Sequence, residues 1–255
     1  MDYQQIKMKV QEVLERGGFS RDEPLDSIEL ISSSKAGPIS PVQIGAFSSV
    51  LSFAGEWDRA EAVARSIPED PGERGLALSE LAQRLAAADL LERAEAVVRS
   101  IPNSDDRSGY MVEKVTALLA IASKFLTQSN YEHARAVLDE AEIAIEHLQH
   151  PDHLLVSLLG DLANLLTKNG QVDRANIFWD KAIDTAQASI QSYRAGRAPD
   201  VDTWKALEII ADDLFPVDVV RAERAIALID NEAWRERARR AHTRENRTAL
   251  RHTKH

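Results

Sequence analysis

The chain has 255 residues, of which 44% are hydrophobic and 28% are charged, and this balance excludes global disorder. It contains no cysteine, which excludes disulfides, thiolate metal sites and a cysteine nucleophile. The net charge of −10 argues against a nucleic-acid-binding body.

The first 40 residues are predicted to form an N-terminal helical cap and a linker. Apolar residues from Ile6 to Leu14 recur at helical spacing, and the pair Gly17 and Gly18 ends this helix. The segment lacks the basic start and apolar run of a signal peptide, and no run of about 20 apolar residues follows that could cross a bilayer. We therefore expect a cytoplasmic protein with no membrane segment.

Residues 41–230 show paired segments in which apolar residues recur every three or four positions, as they do on one face of a helix. Each pair predicts a helical hairpin, and about five pairs are visible. A small residue within each segment lets two helices approach closely, so it marks their crossing point. The crossing residues are Ser48, Ala82, Ala122, Ala163 and Ala211 in the first helices and Ala60, Ala94, Ala134, Ala175 and Ala222 in the second helices.

Residues at the segment ends agree with helix boundaries. The stretch Ser40–Gln43 combines an N-cap, a proline at the first helical position and a glutamine that closes a capping box. Ser129 and Glu132 are predicted to form a similar box. Trp57, Phe125, Tyr131 and Trp179 stand on the apolar faces, and we expect all four to pack in the core.

Two predicted turns, Gly55–Ala60 and Gly170–Ala175, each carry a glycine, a polar residue, a large apolar residue, two charged residues and an alanine. Ala60 and Ala94 lie 34 residues apart. In these features residues 41–230 resemble the tetratricopeptide-repeat family, whose period is about 34 residues. The resemblance implies an all-α fold, an α-α superhelix of about five stacked antiparallel hairpins, with a concave face that binds another protein or peptide.

The resemblance also implies which residues line that concave face, namely first-helix positions that flank the core. They are mostly neutral, which favours an extended segment or helix held by hydroxyl and amide hydrogen bonds over a clamp for a carboxylate. The alternative is that these small polar side chains only solvate a curved surface. The predicted partner-binding residues are Phe53, Ser79, Gln83, Ser123, Thr127, Asn164 and Lys168.

The sequence gives little sign of catalytic or metal chemistry. It has no glycine-rich phosphate loop, no Gly-x-Ser-x-Gly elbow and no His-Glu-x-x-His pair, so we expect neither an enzyme nor a cofactor. Imidazole and carboxylate groups cluster between Glu146 and His153, but Pro151 interrupts the helix there, which favours a polar loop over a metal site.

Residues 231–255 form a basic C-terminal tail that is predicted to be partly helical or disordered. From Arg235 onward it holds eight Lys or Arg against two Asp or Glu. Packing on the acidic body, binding to nucleic acid and simple solvation are all open for this tail.

The leading interpretation is a non-enzymatic adaptor or scaffold that binds another protein or peptide. The alternative is a peptide-sensing regulatory module of a signalling or transcriptional system. An enzyme on a helical stack is the third choice, and self-association through the apolar end of the stack is also open.

Overall fold

The computed structural model describes residues 40–67, 71–102, 110–148, 153–194 and 201–240, and all regular secondary structure in these ranges is helical. This confirms the predicted all-α class. The helices are α1 Pro41–Phe53, α2 Trp57–Arg65, α3 Pro71–Ala87, α4 Leu91–Arg99, α5 Tyr110–Thr127, α6 Tyr131–Glu146, α7 His153–Lys168, α8 Val172–Arg194, α9 Val201–Leu214, α10 Val219–Ala227 and α11 at residues 232–240. The predicted N-terminal helix lies outside the described residues.

The chain divides into two compact units, Met1–His147 and Leu148–His255. In the first unit, α1 packs on α2, α3 on α4 and α5 on α6, while the first helices α1, α3 and α5 contact one another in series. In the second unit, α7 packs on α8 and α9 on α10, and α7 also contacts α9. Each unit is therefore built from packed neighbouring helix pairs.

The predicted crossing residues are all buried. In the first pair, Ser48 Oγ donates a hydrogen bond of 2.9 Å to the carbonyl oxygen of Ala60, which joins the two crossing residues directly. A larger side chain at either position would separate the helices, because buried helices interlock at close-packed density. The small residues thus set how closely each pair packs.

The same turn geometry joins the two helices within each of the first four pairs. The second-to-last residue of each turn has a left-handed backbone. The backbone N–H of the last turn residue then donates to the carbonyl oxygen of the residue five positions before it, as Glu56 N donates to Leu51 O at 2.9 Å. Glycine supplies this conformation at Gly55 (φ 72°) and Gly170 (φ 76°), whereas Asp89 (φ 60°) and Ser129 (φ 58°) adopt it with a side chain.

This turn corrects the predicted capping box at Ser129. Because Ser129 takes the left-handed position, the N-cap of α6 is Asn130, whose Oδ1 accepts a hydrogen bond of 3.3 Å from His133 N. The box at the start of α1 is confirmed, since Ser40 Oγ accepts from Gln43 N and Gln43 Oε1 accepts from Ser40 N.

The aromatic predictions are confirmed only in part. Trp179 and Phe125 are buried, and Trp57 is half-buried. Tyr131 was expected in the core but is 53% exposed. It is the first residue of α6, beside the turn, where the helix pair no longer covers its side chain.

Two glycines allow neighbouring first helices to approach closely. A Cβ at Gly75 would lie 2.7 Å from Cδ2 of Tyr110, and a Cβ at Gly160 would lie 2.8 Å from Cγ1 of Ile210. Both distances are shorter than real Cβ contacts. Side chains from α5 and α9 therefore pack directly against the backbones of α3 and α7.

Part of the basic tail packs on the second unit. In α11, Ala238 is buried, and the ring of Trp234 lies 6.4 Å from that of Trp204 on α9. Arg237 forms an ion pair with Glu208 and lies 4.0 Å over the Trp234 ring. Residues 232–240 therefore pack on the body of the protein, which is the first of the three alternatives for the tail.

None of the helices in the described ranges combines the length and hydropathy required to span a membrane.

Candidate functional site

Helices α1, α3 and α5 of the first unit each turn one stripe of residues away from their hairpin partners. We call this surface the unit 1 face. Its stripes follow from helical spacing, because residues at intervals of three and four lie on one side of a helix. The unit 1 face consists of Val42, Ala46, Ser49 and Phe53 on α1, Leu76, Glu80, Gln83 and Ala87 on α3, and Thr116, Ala120, Ser123 and Thr127 on α5.

A polar cluster joins α1 to α3 on the unit 1 face. Ser49 Oγ donates to Glu80 Oε1 at 2.6 Å, and Arg84 Nη2 donates to the same oxygen at 3.2 Å. The guanidinium of Arg84 lies 3.2 Å from the centre of the Phe53 ring. Phe53, one of the predicted partner-binding residues, therefore has one side of its ring covered by a cation.

The predicted residues of the first unit differ in accessibility. Gln83 and Ser123 are half-buried on the adjacent helices α3 and α5, and Thr127 is exposed with its hydroxyl bonded to Lys124 O at 2.7 Å. Ser79 is fully buried, at 0% exposure, because it lies to one side of the outward stripe of α3. A partner on this face can therefore contact Gln83, Ser123 and Thr127 but not Ser79.

The second unit has a comparable surface on α7 and α9, the unit 2 face, and it is charged. Asn164 Nδ2 donates to Asp213 Oδ2 at 2.9 Å and so links the two helices. The face consists of Ser157, Asp161, Asn164 and Lys168 on α7 and Lys205, Ile209, Asp212 and Asp213 on α9. Of the predicted residues, Asn164 is half-buried and Lys168 is exposed.

Sequence reasoning missed the aspartates of the unit 2 face. Asp161 stands four residues after Ser157 and three before Asn164, so the same helical spacing places it on the same stripe. Asp213 has no such signal, because its position beside Asn164 depends on how α9 packs against α7. Asp161 could therefore have been assigned to this face from the sequence alone.

Desolvation by the surrounding protein raises the pKa of Asp161 and of Asp213 on the unit 2 face. The nearby Lys168 ammonium opposes this rise in each case, whereas Asp161 and Asp212 further raise the pKa of Asp213. Asp161 still reaches solvent, so its carboxylate loses hydration without being enclosed. The unit 2 face therefore carries carboxylates whose negative charge is only partly compensated.

We expect Asp161→Asn to stabilise the second unit at neutral pH. A carboxyl whose pKa is raised on folding binds more protons in the folded state, so it lowers stability above the raised pKa and has no such effect well below the usual value of about 3.9. The gain in melting temperature should be largest near neutrality and vanish at about pH 3.

Thermal melts followed by circular dichroism across that pH range would measure this gain. Lys168→Gln is the reciprocal variant, because it removes the opposing cation and should lower the melting temperature at neutral pH. An Asp161→Asn variant whose stability change is the same at every pH would contradict the electrostatic origin of the effect.

The predicted metal-like cluster is only partly within the described residues. Glu146 ends α6 and His147 caps it, while His150 and Asp152 lie outside the described ranges. The part of the chain that the structure describes holds no group of three or more His, Asp or Glu side chains placed to bind a metal ion.

Comparison with known proteins leaves the site defined by its geometry alone. No protein-family model matches the chain, and no curated protein has a significantly similar sequence.

Proposed function

We propose that the chain is a non-enzymatic, cytoplasmic adaptor or scaffold that binds another protein or peptide through the unit 1 face. The composition of that face supports the proposal most directly. It presents exposed apolar side chains, Leu76 and Val42, beside the half-buried amide and hydroxyl of Gln83 and Ser123. Apolar area flanked by neutral hydrogen-bonding groups suits a peptide backbone and its side chains, and offers no strong field to a charged ligand.

We further propose that the five helix pairs form a tetratricopeptide-like solenoid. Small residues at every crossing, one turn geometry in four of the pairs and the 34-residue spacing of Ala60 and Ala94 support this architecture. Solenoids of stacked hairpins bind extended partners along a row of first helices. The row α1, α3 and α5 is the surface in this chain to which that mode of binding applies.

The polar cluster that joins α1 to α3 adds a specific contact. Arg84 Nε is buried and has no hydrogen-bond partner within the described residues. An acceptor on a bound peptide that displaces the Arg84 guanidinium from the Phe53 ring would satisfy this donor and uncover an aromatic surface. The cluster therefore favours a partner with a carbonyl or hydroxyl group next to an apolar side chain.

Selection from a displayed library of random peptides tests the proposal, because it needs no knowledge of the natural partner. A selected peptide should bind the double variant Gln83→Arg, Ser123→Arg roughly tenfold or more weakly than the wild-type chain, since two bulky cations enter the face. The matched control is Ala62→Arg, Ala136→Arg, which adds the same charge at exposed positions of the second helices α2 and α6.

Both double variants should retain the helical circular dichroism spectrum and the wild-type melting behaviour. Loss of binding in the first and full binding in the control supports the unit 1 face as the binding surface. Equal affinity in both, or equal loss in both, contradicts it.

A further inference from the structure

An arginine at the third position of a second helix connects neighbouring pairs in the first unit. Arg93, the third residue of α4, reaches back to α2, where its Nη2 lies 2.8 Å from Asp58 Oδ1 and 3.0 Å from Glu61 Oε2. Glu61 also binds Arg65 of its own helix at 2.9 Å. Although burial opposes it, the hydrogen bonds from Arg93 and Arg65 hold the pKa of Glu61 below its usual range. Glu61 is thus a carboxylate that binds two guanidinium groups.

The same arrangement recurs in the second unit. Arg221 is the third residue of α10, and it reaches back to α8, to Asn176 Oδ1 at 3.0 Å and to Asp180 Oδ2 at 3.0 Å. Glu61 and Asn176 are equivalent positions, because each directly follows the crossing alanine of its helix. A guanidinium from the next pair therefore occupies this position at one junction in each unit.

The junction between α4 and α6 departs from this pattern. The third residue of α6 is His133, and its Nδ1 lies 3.0 Å from Asn130 Oδ1 of the adjoining turn, with the ring 5.3 Å from Phe125. The position equivalent to Glu61 is Glu95 on α4. Among the described residues, Glu95 is paired with Arg99 of its own helix at 2.7 Å, and no second guanidinium reaches it.

An open groove of about 730 Å³ lies between α4 and the start of α6 at this junction. Its lining includes Glu92, Glu95 and His133, together with the apolar Leu90, Leu91 and Phe125. Glu92 is exposed and has no ion-pair partner in the described part of the chain. The volume falls within the range of ordinary ligand sites.

The other charges that line the groove are already compensated. Arg93 is held by carboxylates of α2, Arg99 binds Glu140 of α6 at 2.7 Å, and Asp89 binds Lys124 at 3.2 Å. Among the described residues, the lining charge that remains without an ion-pair partner is negative, at Glu92, one turn before Glu95 on α4. Leu90 is exposed beside it and offers an apolar surface to an aliphatic chain.

We propose that this groove binds the guanidinium group of an arginine side chain presented by a protein partner, in the position that Arg93 and Arg221 occupy at two other junctions. The carboxylates of Glu92 and Glu95 receive the guanidinium, and Leu90 packs on the methylene chain. The site is formed by α4, by the start of α6, by the turns before them and by Phe125 of α5, and none of its lining residues belongs to the unit 1 face. It would give the chain a second point of attachment to a partner.

Titration with N-acetyl-arginine amide, followed by the backbone amide NMR signals of residues 89–96 and 128–133, tests the proposal. Binding of one exposed guanidinium should be saturable, with a dissociation constant on the order of millimolar. N-acetyl-citrulline amide has the same shape without the charge and should cause no saturable shift. N-acetyl-lysine amide should bind more weakly, because an ammonium cannot bridge two carboxylates in the same fork geometry.

Substitution of His133 provides the decisive comparison. His133→Arg supplies the guanidinium from within the chain, so we expect the affinity for the arginine probe to fall roughly tenfold or more, while His133→Gln should bind as the wild type does. Glu92→Gln, at an exposed position, should weaken binding without affecting the fold. The proposal is overturned if citrulline or lysine binds as well as arginine, if the wild-type chain shows no saturable shift, or if folded His133→Arg and Glu92→Gln both retain full affinity.

Discussion

Replacing Trp179 by alanine is expected to lower the free energy of unfolding of the second unit by about 3–5 kcal/mol. Trp179 is only 2% exposed, and its Cζ3 would lie 3.8 Å from a Cβ at Gly160, on the helix it packs against. A cavity of indole size at that point cannot close, because Ile210 already packs on the backbone of Gly160. Urea unfolding followed by circular dichroism would measure the loss.

Ile177→Ala is the control for Trp179→Ala. Ile177 lies two residues earlier on α8 and is exposed, so its truncation should change the unfolding free energy by less than about 0.5 kcal/mol. Similar losses for the two variants would mean that the apolar stripe of α8 is wrongly assigned.

Replacing Ala134 by leucine should destabilise the first unit by about 1–3 kcal/mol. Ala134 is 0% exposed and is the predicted crossing residue of α6, which packs on α5. Three additional carbon atoms at this point must push the helices apart or force neighbouring side chains out of their preferred rotamers. The midpoint of thermal or urea unfolding would report the change.

Ala136→Leu makes the same chemical change at an exposed position of the same helix. It should leave stability within about 0.5 kcal/mol of the wild type, because the side chain at that position is exposed. An unfolding midpoint that is unchanged in Ala134→Leu would contradict the crossing geometry of the pair, whatever the control shows.

The helix pairs were predictable because their determinants are local. Apolar residues at intervals of three and four select one face of each helix, and a small residue at the crossing is needed wherever two helices meet, so Ser48, Ala94 and Ala175 could be placed before any coordinates. The capping box at Ser40 was equally local, since all its partners lie within four residues.

Features that depend on packing between helices were not predictable. The hydrogen bond between Asn164 and Asp213 joins residues that lie 49 apart in the chain. The contact of the Arg84 guanidinium with the Phe53 ring depends on the spacing of α1 and α3. Tyr131 was predicted in the core because the apolar spacing extends to the first residue of α6. The partner helix does not cover that residue, so its side chain is exposed. Ser129 was wrongly predicted as an N-cap because a serine near the start of a helix normally caps it. Here the turn requires a left-handed backbone conformation at Ser129.

Hydroxyl-radical footprinting of the chain, free and bound to a library-selected peptide, tests the proposed binding surface most directly. Oxidation of Leu76 and Val42, both exposed on the unit 1 face, should fall when the peptide binds, while that of Tyr131 and Ile143, exposed on α6, should not change. Protection of Tyr131 and Ile143 with undiminished oxidation of Leu76 and Val42 would contradict the account.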